Sequence, residues 1–289
     1  MERKLKKISK RVNIYLNSYL SKFNSSELVP PMKYGLFPGG KKIRSKIIFD
    51  VGSMFNLKKK NLTILAASVE AIHAYSLIHD DLPCMDDDNL RRGKPSAHVK
   101  FGESTAILAG NSLLTTAFEI LSDKNFKVEE KIKSNLINLL SRCSGQTGIA
   151  GGQYLDLSYE KKKVSLKKIL NMELKKTGKL FEFCCLAPLL IKKNKKNLKS
   201  FSKIGKDIGL LFQIVDDLID FKGKTKLVGK KTRKDNKKGK ATIISLLGYE
   251  NAVKYANKLK QNVNKNLQPY NNKSNDLIET INFIMERNK

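Results

Sequence analysis

The chain has 289 residues, with 56 lysines and arginines against 27 aspartates and glutamates, a formal net charge of +29. Only 7 prolines and 18 glycines beside 40% hydrophobic residues exclude a loop-rich or low-complexity polymer and leave enough apolar side chains for a sizeable core. The basic surplus suggests a polyanion partner, but 48 of these residues are lysine and 8 arginine, whereas base and phosphate readers favour the arginine fork, so the surplus is read as solvated helix faces.

The first segment, MERKLKKISKRVNIYLNSYL (1–20), starts basic but has no apolar leader core or small-residue cleavage site, and its spacing predicts an amphipathic helix. Linkers are expected at Pro30 and Pro31, at Gly39 and Gly40, and at Pro95. LTILAASVEAIHAYSLIHDD (62–81) is apolar on most faces, as a central buried helix would be. Helical spacing continues through 104–122, 131–153, 165–191 and 198–221. A lysine-rich mobile loop is predicted over 222–240, followed by helices over 240–267 and 274–288. No alternating run forces a strand, no repeat of solenoid period occurs, and no uncharged apolar run reaches the ~18 residues needed to span a bilayer. The expectation is one all-α domain over 1–289, a bundle of about ten helices by the 3.6-residue pattern. Cys84, Cys143, Cys184 and Cys185 lack metal-ligand spacing, which fits a reduced, cytoplasmic chain.

Against the basic background, DDLPCMDDDNLRRG (80–93) gathers five aspartates. Asp80 and Asp81 close the central helix, and Pro83 disfavours its continuation by removing a backbone donor and restricting Leu82. Such a distortion brings Asp86 back toward Asp80. A second cluster lies in FQIVDDLIDF (212–221), where Asp216 and Asp220 are four apart and share a helix face, with Asp217 beside them and Gln213 one turn earlier. Carboxylates gathered at the ends of apolar helices repel one another and are costly to desolvate, so a cation must compensate. Hard divalent ions fit, and Mg²⁺ typically takes one or two carboxylates plus phosphate oxygens and water.

These two strings resemble the first and second aspartate-rich motifs of the trans-isoprenyl diphosphate synthases, and EAIHAYSLIHDDLPCMDDDNLRRG is closest to the bacterial farnesyl diphosphate synthases. PGGKKIR (38–44), GGQYLDL (151–157), KKTGKL (175–180) and GKAT (239–242) resemble further landmarks in the family's order. The resemblance implies an isoprenoid-synthase-type bundle around a deep central cavity, usually a homodimer, without nucleic-acid partners or stable membrane insertion. It implies three Mg²⁺ ions per substrate-bound site, Mn²⁺ being left open as a substitute. Asp80, Asp86 and Asp216 would hold them, with Asp81, Asp217 and Asp220 near or water-bridged. Arg91, Lys176, Lys230 and Lys240 would contact the allylic diphosphate, and Lys41, Arg44, His73 and Arg92 would bind isopentenyl diphosphate. Thr177 and Gln213, with Lys176, would face the developing allylic cation. His79 and His98 are read as structural.

The implied reaction is head-to-tail prenyl transfer, from dimethylallyl through geranyl to farnesyl diphosphate. Tyr75, with Ser76 beside it, stands five residues before Asp80, about 7.5 Å along the helix, and would limit product length at C15. A geranylgeranyl or longer-chain synthase is the alternative within the family; from another class, a basic nucleic-acid- or membrane-surface-binding protein. An intact second motif argues against a terpene cyclase. Departures are the lack of a proline after Lys240, Asn89 ending DDDN, and extra lysines that leave Lys230 and Lys231 interchangeable.

Overall fold

The computed structural model describes residues 1–227 and 242–287, and they are helical almost throughout. The chain clusters into two compact units, Met1–Leu140 with Ala187–Asn194, and Ser141–Leu186 with Lys195–Lys289.

In the first unit, α1 (Glu2–Leu20) buries Leu5, Val12, Leu16, Tyr19 and Leu20 along one stripe, as its spacing predicts. Pro30 and Pro31 do not form a linker. They begin α2 (Val29–Leu36), where a missing N–H costs nothing and the fixed φ already suits a helix. A further helix, α3 (Ile43–Met54), follows the two glycines, and the sequence reading assigned it no apolar pattern. Two of its charged residues neutralise each other: Lys46 and Asp50, four apart, pair while only 1% and 3% exposed. That pairing lets two ionic groups enter a core that neither could enter alone.

The central helix α4 (Lys59–Asp80) buries fifteen of its residues. By length and composition it could cross a membrane, yet 78% of its most apolar window is buried inside the protein. Each Leu, Ile or Val sequestered along it contributes about 1.5–3 kcal/mol relative to exposure. Beyond it, β1 (Leu90–Arg91) and β2 (Lys94–Pro95) pair antiparallel around Arg92 and Gly93, both at positive φ. Two central residues at positive φ are what a tight hairpin demands. Next come α5 (Ala97–Phe101) and α6 (Glu103–Ser122), and α6 is tied to α4 by Ser68 Oγ donating to the Ala117 carbonyl at 2.7 Å. Helix α7 (Glu130–Ser144) belongs to this unit as far as Leu140, with Ile132, Leu136 and Leu140 buried, and Ala187–Asn194 joins it from further along the chain.

The second unit differs from expectation in its interruptions. The segment read as one helix over 131–153 breaks between α7 and α8 (Ile149–Ser158). The segment over 165–191 is continuous but contains a π-turn: α9 (Leu166–Glu173), Leu174–Gly178, then α10 (Lys179–Ile191). Helix α11 (Leu198–Leu227) overruns its predicted end, so the expected loop does not begin at 222; the rest of that stretch lies outside the described residues. Past it, α12 (Ile243–Leu247) starts with a capping box between Thr242 and Ser245. It is separated from α13 (Tyr249–Leu267) by Gly248 at φ +78, and α14 (Asn275–Glu286) packs on α11. Among the described residues there are no disulfides; Cys143, Cys184 and Cys185 are buried and Cys84 is exposed.

Candidate active site

At the end of α4 the chain turns back as Pro83 requires. The Asp86 N–H donates to the Asp80 carbonyl at 2.8 Å and the Asp88 N–H to the Asp81 carbonyl at 3.2 Å. Six residues are thereby folded into one turn, and Asp80 and Asp86 become neighbours. Asp81 takes another part. It is 2% exposed and gripped by Arg91, whose Nε lies 3.0 and 3.1 Å from the two carboxylate oxygens while Nη2 closes a third contact. Asp81, expected near the metal or bridged to it by water, anchors the arginine, and a bidentate guanidinium satisfies both of its oxygens.

The hairpin that presents Arg91 also sends Arg92 the other way. Its Nη1 donates to the Gly39 carbonyl. Gly40, at φ +113, is where a side chain would strike that guanidinium: a Cβ would lie 2.7 Å from Nη1. The PGG motif therefore makes room for an arginine from a distant segment. Shortly after, Lys42 sits in the left-handed region at φ 47, turns inward, and lies 3.4 Å from Glu70 of α4. Ser45 donates to the other Glu70 oxygen at 2.6 Å. Burial works against the Glu70 carboxylate, yet Lys42, Ser45 and Arg44 together hold its pKa below the usual value. One turn along α4, His73 is held well below the usual imidazole pKa, first by burial and then by Arg44, Arg92, Lys42 and Arg91. A neutral imidazole ringed by four cations and one carboxylate has positive charge to spare. Lys41 is exposed, and the ammonium that pairs with Glu70 is that of Lys42.

Tyr75 is 8% exposed, stands edge-on to the His79 ring with centroids 5.4 Å apart, and has its hydroxyl pKa raised by burial and then by Asp80. Ser76 turns its hydroxyl to the His73 carbonyl at 3.0 Å. The His79 Nε2 meets the Ile107 carbonyl at 3.1 Å, and His98 is 8% exposed, in keeping with structural places for both.

In the second unit the π-turn sets Lys176 and Thr177. One extra residue in a helical turn shifts the side chains that follow it onto a new face, and such turns recur at functional sites. Lys176 Nζ lies 2.6 Å from Asp156 of α8. Thr177 Oγ1 donates to Gln213 Oε1 at 3.2 Å, and Gln213 Nε2 donates to Asp217 Oδ1 at 3.0 Å. This relay joins the π-turn to α11. Burial pushes the Asp217 carboxyl up to about 7, with Asp220 and Asp216 adding to the rise and the Gln213 hydrogen bond opposing it. Its second oxygen, Oδ2, has no hydrogen-bonding partner among the described residues. Asp216 is half-buried and Asp220 is exposed. Asp216 Oδ1 lies 2.7 Å from Arg287 Nη2. Lys230 and Lys240 lie outside the described residues.

Sequence reasoning named most of these side chains but missed Lys42, Glu70, Asp156 and Arg287. Asp156 stands within the landmark GGQYLDL, where an acid one turn past two glycines was a usable signal. Nothing local marks Glu70 or Arg287.

The polyprenyl synthetase family profile matches residues 25–281. The chain is 40% identical over 288 residues to the farnesyl diphosphate synthase of Escherichia coli K12, covering 97% of this chain and 96% of that protein. It is 35% identical over 275 residues to the geranylgeranyl diphosphate synthase of Cyanophora paradoxa, covering 94% and 92%. Among solved structures it is similar to the FPP/GFPP synthase of Zymomonas mobilis, with a TM-score of 0.86 and 33% identity over 99% of this chain and 100% of that one. With matches of that extent, and with both aspartate motifs standing on the helices that the pattern requires, the chain belongs to the polyprenyl synthetase family.

Proposed function

We propose that the protein is a prenyltransferase that joins dimethylallyl diphosphate, and then geranyl diphosphate, to isopentenyl diphosphate, giving farnesyl diphosphate and free diphosphate. The observation that carries this reading is the cation cluster around neutral His73. Lys42, Arg44, Arg91 and Arg92 bring more positive charge together than Glu70 and Asp81 can neutralise, one helix turn or two from carboxylates that need cations of their own. A substrate with an anionic head, bound partly by protein cations and partly through metal, satisfies both groups at once.

The donor set fits Mg²⁺. Asp217 carries a partnerless oxygen and a carboxyl pushed up to about 7 by burial and by its acidic neighbours, the mark of a cluster short of positive charge. Among the described residues no three acidic, histidine or cysteine side chains form a ready cage, and Mg²⁺ usually completes its shell with water and substrate phosphate. Asp80 and Asp86 would hold it at the first motif, and Asp216 with Asp220 at the second. When bound, the metal supplies Lewis-acid stabilisation of the departing diphosphate.

The chain's own residues do the rest. Arg91, locked by Asp81, and Lys176, locked by Asp156, offer fixed cations to the allylic diphosphate, so little reorganisation remains when charge develops. The carbon–oxygen bond breaks with its electron pair leaving on diphosphate. Thr177 and Gln213 present oxygens to the allylic cation. Arg44, Arg92 and neutral His73 hold isopentenyl diphosphate, whose double bond attacks that cation, and the proton lost afterwards goes to the released diphosphate. Tyr75, buried on α4 before Asp80, blocks growth at fifteen carbons. The chain acts as one catalytic domain, in the cytoplasm, as a homodimer; Val99, Ile107 and Leu108, exposed by 51%, 40% and 52%, supply apolar surface for pairing.

Incubating the pure protein with dimethylallyl and isopentenyl diphosphates plus Mg²⁺, and identifying the longest product, tests the reading. A C15 diphosphate is expected. Products that run to C20 or beyond would remove Tyr75 from its assigned place, and no condensation at all would overturn the function.

A further inference from the structure

The second aspartate motif already has a cation. Arg287 caps α14, its N–H bonded to the Phe283 carbonyl at 3.1 Å, and its side chain is 6% exposed. The guanidinium reaches back to α11 and makes three contacts. Nη2 lies 2.7 Å from Asp216 Oδ1, donates to the Phe212 carbonyl at 2.7 Å, and the group stands over the Phe212 ring with 3.8 Å to the centroid. Helix α14 fixes the base of this side chain, because Leu277, Ile281 and Ile284 are fully buried along its inner face.

We propose that Arg287 is the counter-ion of Asp216 in the metal-free protein and that divalent metal loading at the second motif requires its displacement. The inference rests on the reading of Asp216 as a metal ligand. An arginine cannot shed its charge, so it vacates a carboxylate only by moving. A guanidinium left beside this carboxylate would repel a divalent ion that Asp216 would hold. The ring and the carbonyl of Phe212 give Arg287 two partners that do not depend on Asp216, and they offset part of the cost of yielding the carboxylate. Arg287 is thus a positioning residue. It keeps the metal-free carboxylates compatible with the fold and sets the metal concentration at which the second motif fills.

The test titrates the full-length protein with Mn²⁺ alone, no substrate present, and follows the free ion by electron paramagnetic resonance. Arg287→Met keeps apolar contact with the Phe212 ring and removes the charge; it should tighten binding on the order of tenfold, the factor of one charge-assisted hydrogen bond. Arg287→Lys, the safer variant for folding, should tighten it by a smaller factor, since a single ammonium cannot reproduce the fork. In an Asp216→Asn background neither substitution should change affinity. Hydrogen exchange at the Arg287 amide should quicken when Mn²⁺ is added to the wild type. Equal or weaker binding in natively helical Arg287→Met or Arg287→Lys protein overturns the displacement. Absence of Mn²⁺ binding by the wild type and by Arg287→Met alike overturns the metal reading along with it, so the two failures are told apart.

Discussion

Gly152 offers the sharpest quantitative prediction, because it links packing to the position of a catalytic lysine. The residue is buried on α8 and faces the backbone of the π-turn. A Cβ built on it would lie 2.2 Å from Lys176 N and 2.5 Å from Lys176 Cα, where ordinary van der Waals separation begins at 3.4 Å. Gly152→Ala must therefore part the two segments by about 1.2 Å. The obstruction is largely backbone, so no rotamer change relieves it. Overpacking of this kind costs about 1–3 kcal/mol, equivalent to a melting temperature lower by roughly 2–12 °C for a protein of this size. The same displacement stretches the 2.6 Å pair between Asp156 and Lys176 and shifts Thr177 beside it. A misplacement near 1 Å can cost about a hundredfold in rate, so kcat should fall far more than the loss of stability alone would explain. The assay is steady-state release of diphosphate, with the melt followed by circular dichroism. Gly223→Ala serves as the control, since a Cβ there meets nothing within 4 Å; it should be neutral or slightly stabilising. Wild-type melting and a kcat within about twofold of wild type in Gly152→Ala would refute the close-packing account of Lys176.

Other substitutions separate the remaining roles. Asp80→Ala and Asp216→Ala should each abolish turnover while the far-ultraviolet circular dichroism stays helical; near-normal rates at saturating Mg²⁺ would contradict the metal assignment. Arg92→Ala should raise the KM for isopentenyl diphosphate more than that for the allylic substrate, and an equal effect on both would dissolve the two-subsite division. Tyr75→Ala removes a buried ring, which should cost about 3–5 kcal/mol and lengthen the product beyond C15, as read by product chromatography. Glu70→Gln removes one partner of a buried ion pair and should destabilise by about 3–5 kcal/mol at neutral pH. Because the Glu70 pKa is depressed in the folded protein, its stabilisation is present above the ordinary value of about 4.3 and is lost as the pH falls through the folded value. The wild-type advantage in urea midpoint should thus be full at pH 7 and shrink under acid; a constant gap down to about pH 3 would show that the charge is irrelevant.

Much of the site was legible because its logic is local. Asp216 and Asp220 share a face by helical spacing, and Pro83 alone foretells the turn that closes Asp86 onto Asp80. Helix α1 and the buried α4 followed from periodicity for the same reason. Helices α2 and α3 were not legible. Pro30 and Pro31 signal either a linker or a helix start, and only the downstream packing chooses. Lys46 and Asp50 look like surface charges until they are seen to neutralise each other.

What the amino-acid sequence settled by itself, then, was the helical class, the two carboxylate clusters and their need for cations, since each depends on neighbours within two turns of chain. Tertiary structure alone decided which cation meets which acid. Lys42 and Glu70 are 28 residues apart and Lys176 and Asp156 are 20 apart, while Arg287 reaches Asp216 from a different helix altogether. With lysine so abundant, composition cannot say which ammonium is pinned inside and which is solvated. The choice is made by burial, because a charge removed from water must find its partner in space rather than in sequence.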